Sequence, residues 1–227
     1  MKQAPGLGGE RALVIMAKAA RPGHVKTRLS ASLPADDIMD LYKCLIEDTL
    51  LLARSVTTDA LAIVCPAADV ADLSGWLPEV EIVAQEGNGL AAGLASAFRV
   101  FIGRGYRHVV ALDGDSPQIP GQTLEQAFRL LDSSDVVVGP TIDGGYYLVG
   151  AGASEARLFE QHRLGTGGAL DSLIAAARSL NLKLARTDTA YDVDEPDDLV
   201  RLAGELARDP SRAPRTALWL ARRNIRE

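Results

Sequence analysis

Short runs of β-branched and aliphatic residues alternate along the chain with longer segments in which apolar residues recur every three or four positions. This alternation is the pattern of repeated β-α-β units around a mostly parallel sheet. Residues 12–16 read as a buried first strand. After a loop through Leu29, a helix is predicted over about 34–55, with Ile38, Leu41, Leu45 and Leu52 on its inner face. Pro34 at its start and Asp36-Asp37 in its first turn suit the exposed N–H groups and positive dipole end found there. Further strands are predicted at 61–64, 81–84 and 108–112, separated by helices near 68–76 and 90–103. Two more, 136–138 and 146–149, flank a loop carrying Asp143-Gly144-Gly145. Asp-Gly between strand-like runs signals a hairpin, so part of the sheet is expected to be antiparallel. A helix near 167–179, a strand at 182–185 and helices at about 196–207 and 213–224 complete the pattern. For the last helix, where Leu218, Trp219 and Leu220 lie among arginines, packing on the body and packing on a second subunit of a homodimer both stay open.

With 227 residues and 47% hydrophobic content the chain can bury one large core, and one α/β domain over 1–227 is expected, with 1–10 flexible and 210–227 forming a C-terminal helix. A formal charge of -6 and a pI near 5.2 argue against nucleic acid, whose binders carry a basic stripe, and favour a small-molecule partner. No apolar stretch approaches the roughly 20 residues that span a bilayer. The first ten residues lack the apolar core of a signal peptide, which points to the cytoplasm. Cys44 and Cys65 sit inside apolar patterns and read as buried hydrophobes rather than a disulfide or metal pair.

In open α/β sheets ligands bind at the carboxyl ends of strands, which singles out four segments. Directly after strand one, Lys18, Arg21, Lys26 and Arg28 place four cations within eleven residues of an acidic protein. A diphosphate or triphosphate would explain them, through point charges, planar guanidinium forks and loop N–H groups; a solvated loop is the alternative. Gly23 to Thr27 superficially resembles the end of a P-loop but lacks the glycine before the lysine that wraps the phosphates. Asp113-Gly114-Asp115 follows the most hydrophobic strand and can set carboxylates around one hard cation, since Mg²⁺ takes one or two carboxylates plus substrate phosphates. Asp192-Val193-Asp194 precedes a helix, where either acid could face Asp115 as a metal ligand or simply cap the helix. The hairpin 143–147 could hold an acceptor. His24, His108 and His162 show no metal-ligand spacing and no G-x-S-x-G elbow occurs, which removes zinc and serine hydrolase chemistry.

These segments together, from Met16-Ala17-Lys18-Ala19 and Pro22 through Leu29, Asp115-Ser116-Pro117, Gly139-Pro140 with Asp143 through Gly150, and Asp192-Val193-Asp194 with Pro196, resemble a bacterial family of the nucleotide-diphospho-sugar transferase superfamily. Its members are labelled glycosyltransferases, some tied to arsenosugar biosynthesis. More distantly the chain is similar to the phospholactate guanylyltransferases. The resemblance implies a GT-A fold, a Rossmann-like three-layer sandwich with a mostly parallel mixed sheet. It also implies a divalent metal, Mg²⁺ or Mn²⁺, held near Asp115; with the residue reading above, Asp192 or Asp194 is the expected second ligand, and Ala17, Lys18, Arg21, Gly23, Lys26, Thr27, Arg28, Gln85, Asn88, Gly89 and Asp113 are expected to bind the nucleotide. Asp143, Gly144, Gly145 and Tyr146 fall to the acceptor, and Lys26, Arg28 and Asp143 to the chemistry. The chain departs from the family at 88–93, where an acid and an arginine are missing, at 163–166, and at Glu195, which stands where a capping threonine is common, so a weaker helix start is expected there.

Two reactions fit. In nucleotidylyl transfer a phosphorylated acceptor attacks the α-phosphorus of a nucleoside triphosphate, and no protein base is needed; in glycosyl transfer a sugar carbon is attacked and a carboxylate such as Asp143 would serve as base. The basic loop tips the reading slightly towards the first. A catalytically silent nucleotide-binding scaffold is a third reading.

Overall fold

The structure, a computed structural model, describes residues 9–152, 158–159 and 168–225. Seven strands form one sheet in the order β3-β2-β1-β4-β6-β5-β7. They are β1 (Arg11–Met16), β2 (Ala60–Cys65), β3 (Glu81–Ala84), β4 (His108–Asp113), β5 (Val136–Pro140), β6 (Tyr146–Gly152) and β7 (Leu184–Arg186). Every pairing is parallel except those of β6, which runs antiparallel to both β4 and β5. The Asp-Gly hairpin and the mixed sheet are therefore as the sequence predicts. Thr141 N–H donates to the Gly145 carbonyl at 3.0 Å, and Gly144 takes a φ of 88° that a side chain would strain.

Along β1 the side chains alternate between two apolar layers, as the pleat requires. Leu13 and Ile15 enter a core with Ile46 and Leu50 of α1 (Ala35–Arg54), Leu73 of α2 (Val70–Trp76) and Leu124 and Phe128 of α4 (Gly121–Leu131). Ala12 and Val14 enter the other, with Leu94, Phe98 and Phe101 of α3 (Gly89–Gly103) and Leu173 and Ala177 of α5 (Ala169–Ser179). The result is the expected three-layer sandwich. A third cluster joins Leu41 and Leu45 of α1 to Leu199 and Leu202 of α6 (Pro196–Arg208) and Trp219 and Leu220 of α7 (Pro214–Arg222). The last helix thus packs on its own chain. Asp48, fully buried in α1, accepts the N–H groups of Thr216 at 2.8 Å and Arg215 at 3.2 Å and so anchors the start of α7.

Three sequence expectations change. Helix α4 was not anticipated between 113 and 136, although Leu124, Ala127, Phe128 and Leu131 recur at helical spacing and are buried. The strand expected at 182–185 is β7, two residues later and three residues long. The expected weakness at Glu195 does not materialise, because Asp198 reaches back from the first turn of α6 and accepts the N–H groups of Glu195 at 2.7 Å and Asp194 at 3.0 Å. The departure at 163–166 and the start of the helix expected from 167 lie outside the described residues. Among the described residues no helix is long and apolar enough to cross a membrane.

Candidate functional site

The sheet order reverses between β1 and β4: the chain leaves β1 towards β2 and β3, and leaves β4 towards β5 and β6. Connections diverge there and open a crevice at the carboxyl ends of the two strands. Met16 and Asp113 are register partners at its floor. The cleft encloses about 790 Å³ and is lined by the 16–19, 21 and 24–28 segments, Tyr42, the residues after β2, Gln85, Gly89, Asp113, Asp115, Tyr146, Asp192 and Asp194.

Lys26 sits at its centre. Its side chain is 2% exposed, and Nζ lies 2.9 Å from Asp115 Oδ2 and 2.9 Å from Asp194 Oδ1. Burial alone would depress the ammonium's pKa, yet the attraction of Asp115 and Asp194 outweighs it and holds the pKa above the ordinary lysine value. The Lys26 backbone adopts a φ of 46°, a left-handed conformation that is uncommon for lysine and that aims the side chain inward at the start of the 3-10 turn Thr27–Ala31.

The two carboxylates are positioned from opposite sides. Asp115 follows β4 in a turn where Ser116 Oγ donates to Asp113 Oδ2 at 3.0 Å and Gln118 Nε2 donates to the Tyr191 carbonyl at 2.8 Å. Val193 N–H donates to the Asp115 carbonyl at 3.2 Å, stitching the 191–194 segment to this turn, while Asp198 holds the Asp194 backbone. A Cβ at Gly114 would meet the terminal methyl of buried Ile46, so a side chain there would require Ile46 to shift. Burial raises the Asp113 carboxyl well above its usual range, reinforced by Asp115. Burial and then the neighbouring Asp194 push Asp192 up to about 6.

The remaining predicted residues are less uniform. Ala17 and Lys18 line the cleft, and Lys18 is exposed with no ion pair among the described residues. Arg21 also lines it, but its guanidinium is engaged by Asp69 at 2.8 Å and Asp72 at 2.7 Å, so it braces the loop more than it offers free charge. Gly23 lies at the exposed tip, where a φ of 72° makes the 21–24 turn, and neither it nor Asn88 lines the cleft. Thr27 lines the cleft and Arg28 reaches Asp194 at 3.7 Å and Glu195 at 3.5 Å. Gln85 donates to the carbonyls of Gly87 at 3.0 Å and Gly89 at 3.3 Å, shaping the loop into α3.

Asp143 lies in an adjoining cavity of about 260 Å³, which shares Arg28, Asp192 and Asp194 with the main cleft and is also lined by Arg201. Its Oδ1 accepts from Thr141 Oγ1 and from Gly145 N–H, and the Thr141 bond leads in lowering its pKa. Both bonds fall on one oxygen, Oδ1, and they reduce the basicity of the carboxylate. Gly144 and Gly145 form that turn, and neither lines the cleft or the second cavity. Tyr146 lines the main cleft, its hydroxyl buried without a hydrogen-bond partner among the described residues.

Two contributors were not singled out from the sequence. Asp69, 7% exposed, accepts the Ala19 N–H at 3.0 Å besides pairing with Arg21, and the Tyr42 hydroxyl accepts the Lys18 N–H at 3.0 Å. The acid at the start of α2 reads locally as a helix-start residue, and Tyr42 as part of the apolar face of α1.

Among the described residues no three His, Cys, Asp or Glu side chains converge as a preformed metal cage. Asp115 and Asp194 nevertheless already grip one cation, the Lys26 ammonium, from both sides. A divalent ion that completes its shell with substrate phosphates and water fits such a two-carboxylate seat.

The comparisons with known proteins agree with this architecture. The chain is 27% identical to a Desulfovibrio desulfuricans G20 protein provisionally named a nucleotide-diphospho-sugar transferase, with a TM-score of 0.86 over 96% of this chain and 98% of that one. It shares its fold with a nucleotidyl transferase from Methanothermobacter thermautotroptrophicus, Mth528 (20% identity, TM-score 0.63, 88% and 99% covered). The same holds for Rv0371c of Mycobacterium tuberculosis H37Rv, solved in complex with manganese (21%, 0.54, 86% and 98%). No curated protein matches the chain. The nucleotide-diphospho-sugar transferase fold is thereby established, and the match over residues 49–166 shows that the chain belongs to the family described as "Uncharacterized protein conserved in bacteria (DUF2064)".

Proposed function

We propose that the chain is a cytoplasmic, single-domain, metal-dependent transferase that takes a nucleotide donor, with nucleotidylyl transfer from a nucleoside triphosphate to a phosphorylated small molecule as the favoured reaction. The observation that carries this reading is the convergence of Asp115, Asp194 and Lys26 at the carboxyl end of β4, beside the basic loop that leaves β1. Asp115 and Asp194 would hold Mg²⁺ or Mn²⁺, with Asp192 adjacent. The ion would neutralise charge on the phosphate oxygens as the bond to the leaving group breaks. Lys18, with no ion pair among the described residues, and the loop N–H groups would steady the triphosphate. Gln85 and Gly89 would border the nucleoside. An oxygen of the acceptor phosphate attacks the α-phosphorus, the bond to the bridging oxygen breaks, and pyrophosphate leaves with that electron pair. No protein base is required, which suits a site whose outlying carboxylate, Asp143, is held at low pKa by Thr141.

Glycosyl transfer from a nucleoside diphosphate sugar is the second reading. Its support is the second cavity, where Asp143, Asp192, Asp194, Glu195 and Asp198 outnumber Arg28 and Arg201. Carboxylates in excess accept hydrogen bonds from sugar hydroxyls and disfavour an anionic acceptor.

A thermal-shift panel of nucleoside triphosphates and nucleotide sugars, with and without Mg²⁺, separates the readings, because a ligand that binds only the native state raises its stability. A metal-dependent shift with a triphosphate supports nucleotidylyl transfer. A shift with nucleotide sugars alone transfers the assignment to the glycosyl reaction, and no shift with either leaves a silent scaffold.

A further inference from the structure

We infer that the Lys26 ammonium is the resident counter-ion of the metal seat, and that a divalent ion enters only by displacing it towards the donor's phosphates. The inference rests on the proposal that Asp115 and Asp194 are the metal's carboxylates. Lys26 Nζ is 2.9 Å from one oxygen of each acid, so it occupies the position between them that a bridging cation needs. Mg²⁺ would sit about 2.0–2.1 Å from each oxygen it binds. An ion bridging the same two oxygens from the side that Lys26 occupies would overlap the ammonium, so the two cations compete for that seat.

Asp113 and Asp192, which line the same cleft, also feel the Lys26 charge, but the structure records ion pairs of Lys26 with Asp115 and Asp194. Its side chain is 2% exposed, so water does not solvate the head group freely, and leaving the carboxylates without a new anion would strand a buried charge. The cleft that Lys26 lines also contains Lys18, exposed and without an ion pair among the described residues, which would add to the attraction for a phosphate there. Triphosphate oxygens supply that anion. Metal and nucleotide therefore bind cooperatively: the nucleotide draws Lys26 off the acids, the metal takes its place, and each raises the affinity of the other. The left-handed backbone at Lys26 fits a side chain held in a poised position by its surroundings.

The test is Mn²⁺ binding to the full chain without nucleotide, read from the loss of the free-ion electron paramagnetic resonance signal. Lys26→Met, which keeps the bulk of the stem and removes the charge, is expected to bind Mn²⁺ at least about fivefold more tightly than the unaltered chain, the lower end of usual coupling strengths. Asp115→Asn is expected to abolish binding in both backgrounds. If Lys26→Met binds no more tightly while Asp115→Asn still abolishes binding, the exchange is overturned and the metal assignment stands. If Asp115→Asn leaves Mn²⁺ binding intact, both fall. Should Lys26→Met not fold, amine-selective labelling of the unaltered chain decides: saturating Mn²⁺ alone should raise the labelling rate of Lys26 relative to exposed Lys43, and an unchanged rate overturns the exchange.

Discussion

Met16 and Asp113 pair at the last rung of the β1–β4 ladder, so the loop carrying Lys18 and Lys26 and the turn carrying Asp115 leave the sheet side by side. That rung sets the distance between the basic loop and the acids, because hydrogen-bonded strands lie about 4.8 Å apart.

Replacing Asp115 by Ala should eliminate the Mg²⁺-dependent part of any triphosphate stabilisation. At a ligand concentration one hundred times its Kd the lost stabilisation would be about 2.7 kcal/mol. Denaturant titration with and without Mg²⁺ measures it, and a retained metal-dependent increment would remove Asp115 from the metal site.

For Asp143→Asn the expected result is a near-normal turnover number, within about tenfold of the parent, because the carboxylate is engaged by Thr141 and Gly145. A general base in a glycosyl transfer would cost about 10²–10⁴-fold. A loss of that size in steady-state assays would refute the structural role and favour the glycosyl reading.

Asp198 supports Asp194 through two backbone N–H groups. Loss of this helix-start acceptor in Asp198→Ala should lower stability by about 0.5–2 kcal/mol. It should also weaken metal binding, since Asp194 is no longer held. Calorimetric metal titration of the folded variant checks the second effect, and unchanged affinity would show that Asp194 needs no such support.

His108 is buried at the start of β4, and burial, reinforced by Arg107, lowers its pKa below the ordinary 6.5 despite Asp132 at 3.8 Å. As pH falls through 6.5 the unfolded chain protonates first, so this contribution to stability is complete above 6.5 and declines as pH drops from there to the lowered folded value. The stability difference between the parent chain and His108→Asn should therefore shrink between pH 7.5 and 5.5. A difference that stays constant across that window contradicts the assignment.

Gly139 in β5 lies under the Tyr147 ring, where an added Cβ would collide. Tyr147 is buried and its hydroxyl is bonded to Thr187 Oγ1 at 2.8 Å and the Asp188 carbonyl at 3.0 Å, so the ring cannot withdraw cheaply. Gly139→Ala should cost about 1–3 kcal/mol by overpacking. A melting temperature equal to that of the parent would show that the strand pair yields more easily than its packing suggests.

What the amino-acid sequence determined by itself is local. The strands and most helices were legible because burial on a pleat or a helix face imposes a two-residue or 3.6-residue repeat on neighbouring positions. The Asp143-Gly144 hairpin was legible because its turn geometry needs glycine. Helix α4 carries the same repeat in Leu124, Ala127, Phe128 and Leu131. The candidate acids were also visible as residues at strand ends, but not their partners. Only the tertiary structure decided that Lys26 bridges Asp115 and Asp194, residues separated by as many as 168 positions, that Arg21 is taken up by Asp69 and Asp72, and that Asp143 faces a cavity adjoining the main cleft. Such contacts depend on strand order and loop direction around the β1–β4 reversal, and no repeat in the chain encodes them, because a charge's partner is set by three-dimensional distance and not by its neighbours in sequence.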